Sequence, residues 1–203
     1  MNPETPIADA RFAAIDFESA GASRGDHDVP VQVGIACWSP AAGFGERFVS
    51  FLRTARPITW AAHKVHGITP ADLADAPSLV SLWPEIRRQL DGAVVVAHGK
   101  GTERRFLRAF PGHPFGPWLD TLLLARAAWP ALPSHALGDL CRHRRLDAAV
   151  AASVPGRNWH DALYDAHASL VLLDHVIASF QLAGRPLAVL LQPDNSTWHR
   201  LRR

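Results

Sequence analysis

The chain is poor in the features that mark secreted or membrane proteins. Only two cysteines, Cys37 and Cys141, occur in 203 residues, and they lie far apart. That excludes a disulfide framework and leaves at most one bridge open. Cys37 sits in an apolar strand-like run and reads as a buried thiol. Cys141 with His143 is the only closely spaced Cys/His pair, which argues against a zinc site. No apolar run approaches transmembrane length, and the Met-Asn-Pro-Glu-Thr-Pro start lacks a basic-apolar signal pattern. A cytoplasmic protein with no membrane partner is the default expectation. There is no internal repeat, low-complexity block or interdomain linker. Net charge is small, formally +2, which is compatible with a polyanionic partner without indicating one.

What is present suits a folded domain. Hydrophobic residues make up 48% and charged residues 20%, ordinary for a chain that buries a core. The expected division is a flexible lead over 1–10, one domain over 11–180 and a solvated tail over 181–203 that ends in the basic run His199-Arg200-Leu201-Arg202-Arg203. Strands are expected over Arg11–Glu18, Val29–Trp38 and Phe44–Leu52, joined as an antiparallel meander after a loop over Ser19–Asp28. Helical patterning follows over Thr59–Val65 and Ser78–Leu90, then a buried strand over Ala93–His98. A helix over Thr102–Phe110, capped by Thr102, precedes a short strand at Trp118–Asp120. Helices over Thr121–Trp129, Ala136–Arg145 and Asn158–Phe180 complete the pattern. The order implies an α/β fold, a mixed sheet flanked by helices.

Three stretches carry chemistry. In Ala13-Ala14-Ile15-Asp16-Phe17-Glu18, alternation along a strand puts Asp16 and Glu18 on one face. Alone, the pair reads equally well as a solvated strand edge; near a divalent cation, the repulsion between the two acids becomes attraction. The second stretch runs from Val94 through His98 and Gly99-Lys100-Gly101 to Glu103, a strand end, a glycine-rich turn and the first turn of a helix. That is a favoured ligand position in open α/β sheets, although a first-turn acid also complements a helix dipole. The third is Asn158-Trp159-His160-Asp161-Ala162-Leu163-Tyr164-Asp165. Asp161 and Asp165, four apart, share a helix face, and small alanines beside Asp165 allow close packing. His160 reads as a solvated histidine or, beside an activated water, as a general base.

Together these stretches resemble the DEDDh branch of the DnaQ-like 3′–5′ exonucleases, in the ribonuclease H-like superfamily. Supporting matches are Val65-His66-Gly67-Ile68-Thr69, Leu119-Asp120-Thr121 and Ala136-Leu137-Gly138-Asp139-Leu140-Cys141. The resemblance covers roughly residues 11–180. It implies a five-stranded mixed sheet, antiparallel meander plus parallel strands. It also implies hydrolysis of phosphodiester bonds from the 3′ end of single-stranded DNA or RNA, with release of nucleoside monophosphates. It assigns Asp16, Glu18, Glu103 and Asp165 as ligands of two Mg²⁺ or Mn²⁺ ions and His160 as the base. It places Phe17, Ser19, His66, Ile68 and His98 against the substrate. Two cations can stabilise both the attacking and the leaving oxygen of an in-line displacement.

Departures stand beside the matches. The second motif of the family usually reads His-Asn and later Phe-Asp; here Gly99, Thr102 and Glu103 take those places. After the first motif, Ser19-Ala20-Gly21 replaces the common threonine and glycine. These changes keep two other readings open: a catalytically weak module that binds nucleic-acid ends or a partner protein, and a proofreading subunit of a polymerase. Homodimer and monomer both occur in the family, and the sequence chooses neither. Nor does it choose between DNA and RNA.

Overall fold

The computed structural model describes residues 2–22 and 27–203, so residues 23–26 of the expected Ser19–Asp28 loop lie outside it. Three strands open the domain, β1 (Phe12–Ser19), β2 (Pro30–Ser39) and β3 (Gly43–Phe51), followed by helices α1 (Trp60–His66), α2 (Pro70–Leu73) and α3 (Trp83–Leu90). Then come β4 (Val94–Ala97), α4 (Gly101–Phe106), β5 (Trp118–Asp120), α5 (Thr121–Ala128), α6 (Leu137–His143), α7 (Asp147–Ser153), α8 (Ala162–Ser179), α9 (Ala188–Leu191) and α10 (Asn195–Leu201). The sheet order is β3-β2-β1-β4-β5. β1 runs antiparallel to β2 and parallel to β4, β2 is antiparallel to β3, and β4 is parallel to β5. The expected mixed five-stranded sheet is therefore present.

Alternation along β1 builds two cores. Phe12 and Ala14 face a cluster with Ala36, Val94, Val96 and the α8 residues Leu163, Leu170 and Leu173. Ala13, Ile15 and Phe17 face the other way, onto Ile86 and Leu90 of α3 and Phe106 of α4. Asp16 and Glu18 continue the Phe12–Ala14 line, so the apolar face that seats α8 ends in two acids. Helix α8 is buried around most of its circumference, as expected of a helix packed on a sheet and covered in turn by others. It approaches the sheet closely at Gly34, where an added Cβ would lie 2.2 Å from Ala162 C and Leu163 N.

Several expectations are corrected. The long helix starts at Ala162 rather than Asn158, because His160 has a positive φ of 66° and Asp161 serves as the N-cap. Thr102 lies inside α4 and caps nothing; Lys100 precedes the helix without a side-chain cap. Helix α7 was not expected; its Asp-Ala-Ala-Val-Ala-Ala-Ser composition has one buried anchor, Val150, too little for a legible apolar period. Residues 2–10 of the lead do not trail in solvent. Ile7 is fully buried, and the amides of Ile7 and Ala8 donate to the carbonyls of Arg185 and Ala183 at 2.9 and 2.8 Å. The tail over 181–203 is not solvated either, because Leu182, Leu187, Leu190 and Trp198 are all fully buried. Trp198 meets Phe180 edge-on with centroids 5.1 Å apart, and Arg202 donates to the Ala127 carbonyl at the end of α5. Both cysteines are free and buried, and no helix among the described residues is long and apolar enough to cross a membrane.

Candidate active site

The site forms where the C-terminal half of β1, the β4–α4 turn and the start of α8 converge. β1 brings Asp16 and Glu18 on one face. In the antiparallel ladder, Asp16 stands opposite Gly34 and Glu18 opposite Gln32. The missing side chain at Gly34 lets the first turn of α8 descend to the sheet and sets Asp165, one turn in, beside the two acids. Ligand atoms of Glu18, His160 and Asp165 lie within 4.8 Å of one another. Glu103, on the first turn of α4, is 4% exposed and contributes its charge to Asp16.

The electrostatics are those of like charges pressed together. Burial pushes Asp16 well above the ordinary carboxylate range, and the charges of Asp165, Glu103 and Glu18 push it further. Glu18 is pushed up to about 8 by burial first, then by Asp165 and Asp161. Burial raises Glu103 to about 7 against a backbone hydrogen bond that lowers it, with Asp120 adding to the rise and Arg105 opposing it. Burial likewise raises Asp165 to about 7, opposed by the His160 backbone N–H that donates to it. Glu103 Oε2 and Asp165 Oδ1 are buried with no hydrogen-bond partner among the described residues. Unpartnered hard oxygen donors in a group of mutually repelling acids fit a divalent cation, which would reverse the sign of every repulsion.

A clamp holds the third motif in place. Asp161 Oδ1 accepts from the amides of Leu163 and Tyr164 at 3.0 and 3.2 Å. Its Oδ2 accepts from Gln32 Nε2 at 3.1 Å and from Arg157. Gln32 Oε1 in turn accepts from the Ala162 amide at 2.9 Å. Asp161 is thereby a cap and an anchor, and its oxygens are spent away from any cation. Its fixed position leaves His160 exposed, in a left-handed conformation uncommon for a residue with a Cβ. A residue so placed costs free energy and persists only where its surroundings hold it. His160 lines a cleft of about 480 Å³ together with His66 and the 155–161 segment.

The expected substrate residues divide. His66 borders the cleft, but both ring nitrogens are engaged: Nδ1 accepts from the Ile68 amide at 3.0 Å and Nε2 meets the Ser19 carbonyl at 3.1 Å. Its Nε2–H must therefore be the donor to Ser19, and burial lowers its pKa, consistent with a neutral ring. Ser19 is thus tied by its carbonyl to the end of α1. Three others have their side chains turned to the scaffold. The Phe17 side chain is buried against Phe106, centroids 5.4 Å apart, on the sheet face away from the acids. The Ile68 side chain sits in a small core with Ala20, Val31 and Leu73. His98 braces the scaffold, Nδ1 to Thr121 Oγ1 at 3.0 Å and Nε2 to the His135 carbonyl at 2.9 Å, so it offers no free ring nitrogen.

Sequence reasoning missed Gln32, Gly34 and Arg157. The available signal was a glutamine and a glycine two apart in an otherwise apolar strand, at the spacing that puts both on one face. Asp120, part of a supporting match in the sequence, has a bracing role the sequence did not announce: its Oδ1 caps α5 and accepts from Gly99 N at 3.0 Å, joining the β4–α4 turn to β5.

The exonuclease family model RNase T matches residues 13–173. A DNA polymerase III subunit epsilon-like protein of Rhodobacter capsulatus is 32% identical over 186 residues, which is 89% of this chain and 26% of that protein. Exodeoxyribonuclease 10 of Escherichia coli K12 is 33% identical over 122 residues, 60% of this chain and 50% of that one. The chain therefore spans about a quarter to a half of these curated relatives. Among solved structures, Exonuclease X in complex with 5′ overhanging duplex DNA superposes with a TM-score of 0.71 and 26% identity, covering 89% of this chain and 99% of that one. The nuclease domain of 3′hExo, a DEDDh family member bound to rAMP, shares the fold, with a TM-score of 0.68 at 14% identity over 87% of this chain and 95% of that one. With residues 13–173 matched, most of its length, the chain belongs to the RNase T exonuclease family.

Proposed function

We propose that the protein is a 3′–5′ exonuclease that hydrolyses the terminal phosphodiester bond of a single strand of DNA or RNA. The observation that carries this reading is the convergence of Asp16, Glu18, Glu103 and Asp165 with an exposed His160 beside two of them. The four acids would hold two Mg²⁺ or Mn²⁺ ions, which would supply Lewis-acid chemistry at the phosphodiester. A ring nitrogen of His160 takes a proton from the attacking water. The water oxygen bonds to phosphorus, the bond from phosphorus to the upstream 3′-oxygen breaks, that oxygen takes a proton from solvent, and a nucleoside 5′-monophosphate departs. Asp161 and Gln32 fix where His160 stands, and the cleft at His66 receives the end of the strand. We place the activity in the cytoplasm. A strand labelled at its 3′ end tests the reading: label appears as mononucleotide with Mg²⁺ or Mn²⁺ and stays on the strand with EDTA. Strands that survive both metals would end it.

A second reading has support from relatives named as DNA polymerase III proteins, among them the longer epsilon-like protein, of which this chain matches a quarter. In that reading, the domain proofreads beside a polymerase, and copurification from the source organism decides it. Assembly as a homodimer is tested by the mass of the purified chain in solution.

A further inference from the structure

The basic tail serves none of the chemistry above. It follows residue 173, where the family match stops, yet it folds back as α9 and α10. Arg185, Val189, Thr197, Arg200 and Leu201 line a cleft of about 260 Å³ between these helices. No acid lines it. Some arginines in the body of the domain are matched to acids, as in Arg87–Asp91, Arg88–Glu85 and Arg142–Asp139, while others, such as Arg47, turn to a carbonyl. The one acid of the tail, Asp194, is used as the N-cap of α10, accepting from Thr197 N at 2.8 Å. Arg200 donates only to Thr197 Oγ1, at 3.2 Å, and Arg185 has no acid partner among the described residues. Both arginines are exposed. Arg202 docks the tail at the C-terminal end of α5, whereas the acids lie near the start of that helix. Arg185 pairs with Ile7 ahead of the N-terminal end of β1, so the cleft lies toward the end of the sheet opposite Asp16 and Glu18.

We propose that Arg185, Thr197 and Arg200 form a phosphate-binding site for the backbone of a nucleic-acid strand. The choice of ligand rests on the exonuclease reading; the chemistry rests on two uncompensated guanidinium groups and a hydroxyl converging on one concave surface. Guanidinium forks suit phosphate oxygens and carry no base preference. A strand engaged at both sites is held while its 3′ end is processed. The cleft therefore acts on long substrates and not on the shortest ones.

The test is anisotropy of a long labelled single strand with the full chain in EDTA, across a salt series. The double variant Arg185→Ala/Arg200→Ala is expected to bind about tenfold more weakly at low salt. Its slope of log Kd against log salt should fall by about 1.4, at about 0.7 per phosphate contact on single strands. The Arg185→Lys/Arg200→Lys pair is expected to recover most of that loss. With Mg²⁺, the Ala pair should raise KM on the long strand, hold kcat, and turn over a dinucleotide as wild type does. Equal affinity and slope for wild type and the Ala pair would overturn the site. So would inorganic phosphate that binds wild type but not the Ala pair, with strand binding equal in both. Because binding is read without metal, a lost slope supports the cleft even if no strand is ever cut. A wild type that cuts, with an unchanged slope in the variant, removes the cleft alone.

Discussion

Gln32 faces Glu18 across the β1–β2 ladder, and its side-chain amide closes on Asp161 and the Ala162 amide at the head of α8. One buried side chain therefore ties β2, the ladder partner of the strand with the two acids, to the turn that carries His160. Gln32→Ala leaves the Ala162 N–H buried without a partner, a loss of about 1–3 kcal/mol. It also frees the 157–161 turn. Chemical denaturation should show that loss, and kcat should fall more than KM rises. A variant with wild-type kcat would mean that the clamp does not position His160.

Gly34→Ala tests the seat of α8. The new methyl would lie 2.2 Å from backbone atoms of Ala162 and Leu163, which cannot yield as a flexible side chain would. Overpacking of this kind costs about 1–3 kcal/mol, and here it also lifts Asp165 from the acids. A lower melting temperature and weakened divalent-cation binding by calorimetry are expected together; melting as wild type would contradict the packing.

The acids give the metal-free protein a specific pH dependence. Glu18, Glu103 and Asp165 are raised to about 8, 7 and 7 in the folded state. The folded protein therefore holds protons that the unfolded chain has already lost. Their contribution to stability is complete below the ordinary carboxylate range and is lost as pH rises towards 8. In EDTA, the melting temperature should fall between pH 5 and 8.5 through this contribution. Added Mg²⁺ or Mn²⁺ should raise melting more at pH 8.5 than at pH 5, since a cation competes with protons for the same oxygens. Equal stabilisation at both pH values would contradict the assignment of ligands.

Glu103→Gln removes a charge but keeps shape at a buried position. Turnover should fall on the order of 10–100-fold, the scale seen for changes around metal sites, while metal-free stability at neutral pH rises because repulsion on Asp16 is relieved. Glu103→Asp then reads whether the longer acid is required for reach.

Much of this site was legible because its chemistry is local in sequence. Asp16 and Glu18 share a face by strand alternation, and the β4–α4 turn announces Glu103 by its glycines. The meander is legible for the same reason, since each strand is an apolar run ended by turn residues. The misreadings came from contacts distant in sequence. Trp198 reads as part of a polar tail until Phe180 and α5 are seen beneath it. Asp161 reads as a second helical acid until Gln32, 129 residues away, is found on its oxygen. The start of α8 was misplaced because helical spacing continues back through His160, while the chain there turns to positive φ and Asp161 caps the helix.

Docking of the tail has its own test. Trp198 is fully buried, and Trp198→Ala should cost about 3–5 kcal/mol, as for large aromatic truncations in cores. A tail that merely trailed in solvent would give a change near zero in the same denaturant titration.

The central claim is tested most directly by a time course on a 5′-labelled single strand, with Mg²⁺, Mn²⁺ or EDTA, for wild type and Asp16→Ala. A ladder that shortens one nucleotide at a time from the 3′ end, present with either metal and absent with EDTA and in Asp16→Ala, is the predicted result. Wild type that leaves the strand at full length in both metals, or an Asp16→Ala ladder as fast as wild type, would contradict the account.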